Sequence, residues 1–345
     1  MAVMANNSSS PPSAEPVPSS ARMRAAHHER YGSPDGLRVV PVPVPQVGDH
    51  DLLVQVRATG LHVGDCFGVR GAPFLMRAVS GWFRPKLGIP GFDVAGVVVA
   101  VGAQVTRWQP GDEVFGACDR AGGCAEFVCW HADRFAQKPA RLSFAEAAAL
   151  PTSGLAALHA LRDVAQIQPG QRVLINGASG GVGHFAVQIA KAFGADVTGV
   201  CSTRNVEIVR ELGADQVVDY TREDFTIGSP RFDVIFDNIE NRPLAAVRRA
   251  LAPEGMLILN SGTGATGIKM IIRLLHPLLL SPFVRHKLRR YLSTPSHEDL
   301  AVLGGLAEAG SLRPVIANEC QLTEVPHALR AIEEGHVCGK AVVVH

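Results

Sequence analysis

The residues best suited to chemistry lie in a glycine-rich run, Asn176-Gly177-Ala178-Ser179-Gly180-Gly181-Val182-Gly183. The run before it, Arg172-Val173-Leu174-Ile175-Asn176, is short and apolar in the manner of a buried strand. After it, apolar residues recur at 182, 185, 186, 189, 190 and 193, the stripe of a helix. A strand, a glycine turn and a helix in that order suit phosphate binding. Gly180 stands where backbone must approach a pyrophosphate, and Gly183 where helix and strand pack closely. The free amides and the positive dipole end of the helix face the anion. Ser179, Gly180, Gly181 and Val182 are therefore candidate cofactor contacts. The same letters, Gly177-x-Ser179-x-Gly181, also fit the nucleophile elbow of serine hydrolases, with Asp299 and His327 available as acid and base. That reading leaves Gly180 and Gly183 unexplained.

The end of the next strand, Asp196 to Cys201, bears on the choice of dinucleotide. An NAD site places an acid about 20 residues beyond the turn, on the ribose hydroxyl. This sequence has Ser202-Thr203-Arg204-Asn205 instead. Arg204 can pair with a 2′-phosphate and Ser202 can donate a hydrogen bond to it, so NADPH is expected rather than NADH.

Positioning these residues requires a chain that folds in two parts. Its 345 residues suffice for two domains, and 47% hydrophobic with 19% charged residues allow a sizeable core. The net charge of +1 removes any electrostatic reason to expect nucleic acid as a partner. Seven cysteines, odd in number and without a CxxC pair, suit a reducing cytoplasm. Residues 1–22 are rich in Ser, Pro, Asn and Ala and lack the apolar core of a signal peptide, so they read as a disordered leader. Residues 23–147 read as β-rich, with strands near Leu52 to Val56, Gly96 to Val101 and Glu113 to Phe115. From about residue 148 strands alternate with helices, the pattern of a doubly wound parallel sheet. Ser296-x-x-Asp299 opens a further helix, and the closing Lys340 to Val344 reads as a strand. Residues 268–284 are apolar but interrupted by Lys269, Arg273, His276, Pro277 and Pro282, which rules out a spanning helix. With the basic run Arg285 to Arg290 they suit a lid over a hydrophobic ligand or, as a secondary reading, an anionic membrane surface.

Five motifs in order carry a family resemblance: Pro90 to Gly96, Gly111 to Gly116, Ala149-Leu150-Pro151-Thr152-Ser153-Gly154, Gly177 to Gly183, and the closing Gly335-His336 through Gly339-Lys340. On these the chain resembles the medium-chain dehydrogenase/reductase superfamily, in particular its zinc-independent quinone oxidoreductase branch. The resemblance implies an α/β protein. A GroES-like catalytic domain built from residues 23–147 and 296–345 would flank a Rossmann domain, residues 148–295, that binds NADPH. It also implies a homodimer. Thr152 would lie near the nicotinamide, Ser261 would line the cleft, Tyr220 would contact the 2′-phosphate, and Lys340 would belong to the cofactor site. Zinc-dependent relatives carry Gly-His-Glu where this chain has Gly91-Phe92-Asp93, and their four-cysteine lobe is absent, so no metal is expected. An improvised set of His62, Cys66 and Asp93 is the only alternative. Without a Lewis acid the expected reaction is hydride transfer to a small hydrophobic quinone or α,β-unsaturated carbonyl compound. The competing assignments are a cofactor-binding, membrane-surface protein with little catalysis, an alcohol dehydrogenase, or a hydrolase using Ser179. Related reductases have Asn-Pro-x-Asp where this chain has His62-Val63-Gly64-Asp65, which makes His62 and Asp65 the catalytic candidates. Asparagine only donates a hydrogen bond, whereas histidine could also give a proton.

Overall fold

The structure, a computed structural model, describes residues 21–72, 74, 77–118, 120–228, 231–260, 284–335 and 337–345. The leader through residue 20, Ser261 and the apolar stretch 268–283 lie outside the described residues. The first strand opens at Arg22, one residue inside the expected leader.

Two sheets carry the architecture. In the first third of the chain the strands are β1 (Arg22–His27), β2 (Arg38–Pro43), β3 (Asp51–Leu61), β4 (Asp93–Val101), β5 (Glu113–Ala117), β6 (Phe127–His131) and β7 (Phe135–Gln137). The middle supplies β8 (Arg172–Asn176), β9 (Asp196–Cys201), β10 (Gln216–Asp219), β11 (Phe232–Asp237), β12 (Leu251–Leu259) and β13 (Lys287–Arg289), and the end supplies β14 (Ile316–Gln321) and β15 (Lys340–Val344). The middle strands form one parallel sheet ordered β10-β9-β8-β11-β12-β13. Chain order reverses between β8 and β11, which opens a crevice at the carboxyl ends of those two strands. Strand β8 is buried along nearly its whole length, in keeping with a parallel sheet covered on both faces.

The other large sheet runs β14-β15-β3-β4-β5-β7, with β6 also on β3. The last strands thus return to the first: β15 pairs antiparallel with β3, and β3 with β4. Valine-rich runs suit these strands, and most side chains of β3 and β15 are buried. β1 and β2 form a separate hairpin-like pair.

Small residues let the two sheets share one core. The helix Phe144–Ala149, capped by Ser143 and Glu146, buries Ala147, Ala148 and Ala149 against β3. A Cβ on Gly60 would overlap the Ala148 carbonyl, so only glycine allows this approach. A single cluster of buried residues then runs from Ala58, Ala95 and Phe115 through Leu155 and Leu158 to Val173, Phe185 and Phe236. The helix His297–Glu308, capped by Ser296, lays Leu300 and Leu303 into the same cluster. Among the described residues no helix is long and apolar enough to cross a membrane.

Leu303 is fully buried where helix His297–Glu308 meets Gly154. Leu303→Ala should therefore cost about 2–5 kcal/mol, the range for emptying such a site. A lower urea midpoint with an unchanged denaturant slope would register it.

Candidate functional site

Three strands side by side bring distant segments to one sheet end. The register pairs Ala341 with Leu61 and Gly60 with Asp93, so Lys340, His62 and Asp93 gather at the same edge. The helix Pro151–Leu158 ends its approach there, placing Thr152 and Ser153 against them.

Asp93 and Lys340 are both withdrawn from water, at 0% and 2% exposure, with Lys340 Nζ 3.5 Å from Asp93 Oδ2. Thr152 donates both its amide, at 3.1 Å, and its hydroxyl to Asp93 Oδ1. Lys340 Nζ donates to Ser153 Oγ at 3.1 Å. Burial pushes the Asp93 carboxyl up and the Lys340 ammonium down, and each charge opposes the other's shift. Lys340 thus directs its ammonium to Asp93 and Ser153. Thr152 likewise spends its hydroxyl on Asp93.

His62 caps the helix Val63–Arg70: its Nδ1 accepts from the Gly64 amide at 2.9 Å. Accepting there leaves the ring proton on Nε2, and Nε2 is buried without a hydrogen-bond partner. The ring stacks on Phe92, centroids 5.3 Å apart. Burial lowers its pKa from 6.5 to about 3, with the nearby Lys340 charge adding to the effect. The imidazole is therefore neutral at ordinary pH. This corrects the expectation that His62 could deliver a proton as imidazolium; the ring offers a hydrogen bond instead, as asparagine would.

Asp65 is fully buried, and both carboxylate oxygens are taken by backbone amides, Oδ2 by His62 at 2.9 Å and Oδ1 by Gly91 at 2.6 Å. Burial still raises its pKa to about 7 against the pull of those amides. Its assignment as a catalytic group is corrected accordingly: Asp65 is buried and spends its carboxylate on the His62 and Gly91 backbone amides. Cys66, the third member of the improvised metal set, turns its thiol to the Leu329 carbonyl at 3.5 Å. With Asp93 held by Thr152 and Lys340, those three do not converge. Among the described residues no group of three or more His, Cys, Asp or Glu is disposed to hold a metal ion.

The glycine turn lies beside this cluster, the Gly339 amide donating to the Ser179 carbonyl at 2.8 Å. A Cβ on Gly183 would overlap the Gly177 carbonyl, which accounts for glycine at the helix start. Above Gly180 and Gly181 the nearest atoms to such a carbon lie at 3.3 Å and 3.6 Å, leaving the turn accessible to a ligand's phosphates. Asn205 Nδ2 donates to Ser179 Oγ at 2.9 Å, tying the turn to the end of β9. Ser202 and Arg204 sit at that end, and β10 pairs with β9 so that Tyr220, 48% exposed, emerges next to them. These residues and the turn would be the ones to hold the adenosine end and the phosphates of a dinucleotide.

Several participants escaped the sequence reading. Asp219 accepts from Thr203 Oγ1 at 2.6 Å and from the Thr221 amide and hydroxyl, splicing the ends of β9 and β10. Asn176 and the buried Asp237, paired across β8 and β11 at 2.7 Å, shape the crevice floor. His184 donates from Nδ1 to the Gly180 carbonyl at 2.9 Å inside the first turn of its helix, and burial lowers its pKa to about 4. Polar residues at strand ends are the signal that could have found Asp219 and Asp237; nothing in the sequence signals the partners of Asn205 or Ser153.

The hydrolase alternative fails on geometry. Ser179 is bonded to Asn205, Asp299 to His159 at 3.1 Å and Arg162 at 2.6 Å, and His327 is exposed on the helix Val325–Glu333. The basic run 285–290 also divides. Leu288 is buried, and Arg290 turns inward to Glu240 at 2.7 Å, so it does not form one cationic face.

Residues 48–160 match the alcohol dehydrogenase GroES-like domain family, and residues 212–343 match the family described as zinc-binding dehydrogenase. The chain is 34% identical to the chloroplast envelope quinone oxidoreductase homolog of Arabidopsis thaliana, over 93% of this chain and 98% of that protein. It is 33% identical to a 2-methylene-furan-3-one reductase of Solanum lycopersicum, over 94% of this chain and 79% of that protein. The quinone oxidoreductase of Coxiella burnetii superposes with a TM-score of 0.82 at 30% identity, covering 94% of this chain and 100% of that one.

Removing one member of the buried pair strands the other. Lys340→Met should destabilise the protein by about 3–5 kcal/mol, and adding Asp93→Asn should recover part of the loss. Equal unfolding midpoints for the single variant and the parent would contradict this account.

Proposed function

Because the chain belongs to the medium-chain dehydrogenase/reductase superfamily, we propose that this oxidoreductase is a zinc-independent, NADPH-dependent reductase of quinones or α,β-unsaturated carbonyl compounds. The observation that carries this reading is the pairing of His62 with Phe92. A neutral imidazole presents an unpartnered Nε2–H beside a phenyl ring that stands where a metal ligand would be needed. Phenyl cannot bind a metal, and the adjacent Asp93 is committed to Thr152 and Lys340. That donor set does not suit stabilising an alkoxide, as alcohol oxidation requires.

An electron-poor acceptor needs less help. A dinucleotide held through its phosphates by the glycine turn would supply the hydride from its reduced nicotinamide. The protein's task is to hold the acceptor and meet the negative charge that grows on its oxygen. The His62 Nε2–H can donate to that oxygen without losing its proton, since a neutral imidazole is a very weak acid, and solvent then completes the protonation. Phe92 offers a flat apolar wall for a ring or enone. Asp65, through the Gly91 amide, holds that wall in place.

Arg204, Ser202 and Tyr220 support NADPH as the donor, because a guanidinium at the strand end complements a 2′-phosphate. Seven free thiols favour a reducing compartment.

Two experiments test the reading, each following NADPH absorbance with a panel of quinones and enals. His62→Asn keeps a donor and should retain turnover within a few-fold, whereas His62→Phe should lose about 100-fold or more. Because the His62 pKa is lowered to about 3, the ring does not titrate between pH 5 and 8, and its contribution to kcat/KM should be flat there. A fall in activity above pH 6.5 that disappears in His62→Asn would overturn the neutral-donor role. Arg204→Ala should raise KM for NADPH by about 10- to 100-fold, the worth of a charged hydrogen bond, and leave KM for NADH unchanged.

A further inference from the structure

The loop that precedes Phe92 in the chain exposes side chains that a water-facing surface does not call for. Trp82, Phe83 and Leu87 are 51%, 93% and 48% exposed, and Phe74, 60% exposed, packs on Trp82 with ring centroids 5.5 Å apart. The loop is not loosely held. Its base is closed by the Gly81 amide on the Arg77 carbonyl and the Lys86 amide on the Ser80 carbonyl, both at 2.8 Å. The Tyr31 hydroxyl anchors it from outside, donating to the Gly81 carbonyl at 2.7 Å. The Arg77 guanidinium lies over both the Tyr31 and Phe74 rings. A secured base under an apolar, aromatic tip is a built feature.

Charge narrows what can cover it. From Cys66 to Phe92 the sequence contains Arg70, Arg77, Arg84 and Lys86 and no acid; Arg70 is paired with Glu333 and Arg77 lies over two rings, so Arg84 and Lys86 carry the charge of the loop. Arg84 and Lys86 are exposed on the loop itself. A two-fold contact with a second copy would set these cations against their own images, which costs rather than gains. An anionic lipid surface meets both demands, taking aromatic rings at the headgroup level and cations among the phosphates.

We propose that residues 81–88, with Phe74, dock this protein on an anionic membrane surface. Gly91 and Phe92 follow the loop directly, so docking brings the acceptor pocket close to the lipid. If the acceptor is a lipophilic quinone, a point that rests on the reductase reading, it can pass from bilayer to site over a short path. The docking itself stands on the loop's own residues.

Tryptophan fluorescence gives a direct test. Of the three tryptophans, Trp108 and Trp130 are buried, at 7% and 4% exposure, so a change in emission on binding reports Trp82. The full chain is mixed with phosphatidylcholine vesicles, with and without phosphatidylglycerol, and the vesicles are sedimented. With phosphatidylglycerol the protein should sediment and its emission shift to the blue. Both effects should weaken as salt rises, since the cations are exposed. Phe83→Ser removes an exposed side chain, leaves the fold intact and should weaken partitioning by about tenfold or more. Three results would overturn the proposal: no sedimentation at any phosphatidylglycerol content; equal sedimentation of Phe83→Ser and the parent with unshifted emission; or self-association abolished by Phe83→Ser without vesicle binding. Activity toward a water-soluble quinone without vesicles tests the reductase reading separately.

Discussion

An ammonium and a carboxylate out of reach of water hold the working end of this protein together. Lys340 arrives at the close of the chain and Asp93 at the start of β4, while Thr152 donates to Asp93 and Ser153 accepts from Lys340, both from the first turn of the helix Pro151–Leu158. A buried pair of this kind contributes little net stability relative to apolar residues, but breaking it is costly. Its consequence is therefore geometric. The sheet of β3 and β4, the helix Pro151–Leu158 and the glycine turn, reached through Gly339 and Ser179, all meet here above their shared core.

Other properties of the site follow from that arrangement. The dryness of the sheet end, aided by the positive charge of Lys340, keeps His62 neutral, and the Gly64 amide fixes which of its nitrogens bears the proton. A ring that would titrate near neutrality in water becomes a fixed hydrogen-bond donor. Asp65 then supports the site through backbone alone, joining the His62 amide to that of Gly91 and so fixing Phe92. The same logic operates at the dinucleotide end, where Asn205 and Asp219 bind the turn and the strand ends into one surface.

Much of the architecture was legible in the sequence because it depends on local pattern. The glycine turn could be read from its flanking strand and helix, and strands β8 to β12 from short apolar runs between helical stripes. The strand-like end of the chain already suggested a return to the first sheet, and β15 does pair with β3. The small strand β13 was harder, since Leu288 is its one buried side chain within a run of basic residues. At the site, His62 was identified by its place in a motif, but its protonation was not, because that depends on burial and on a lysine 278 positions away along the chain.

By itself, then, the sequence determined the class of fold, the glycine turn between a strand and a helix, and a phenyl side chain at position 92, all set by residue type and near spacing. Only the tertiary structure decided what those residues do for one another. It set the Asp65 carboxylate on two backbone amides, gave Lys340 to Asp93, and left His62 a neutral ring that caps a helix. The physical reason is that hydrogen bonding, charge and access to water are set by neighbours from several strands and helices, and no short stretch of sequence contains them all.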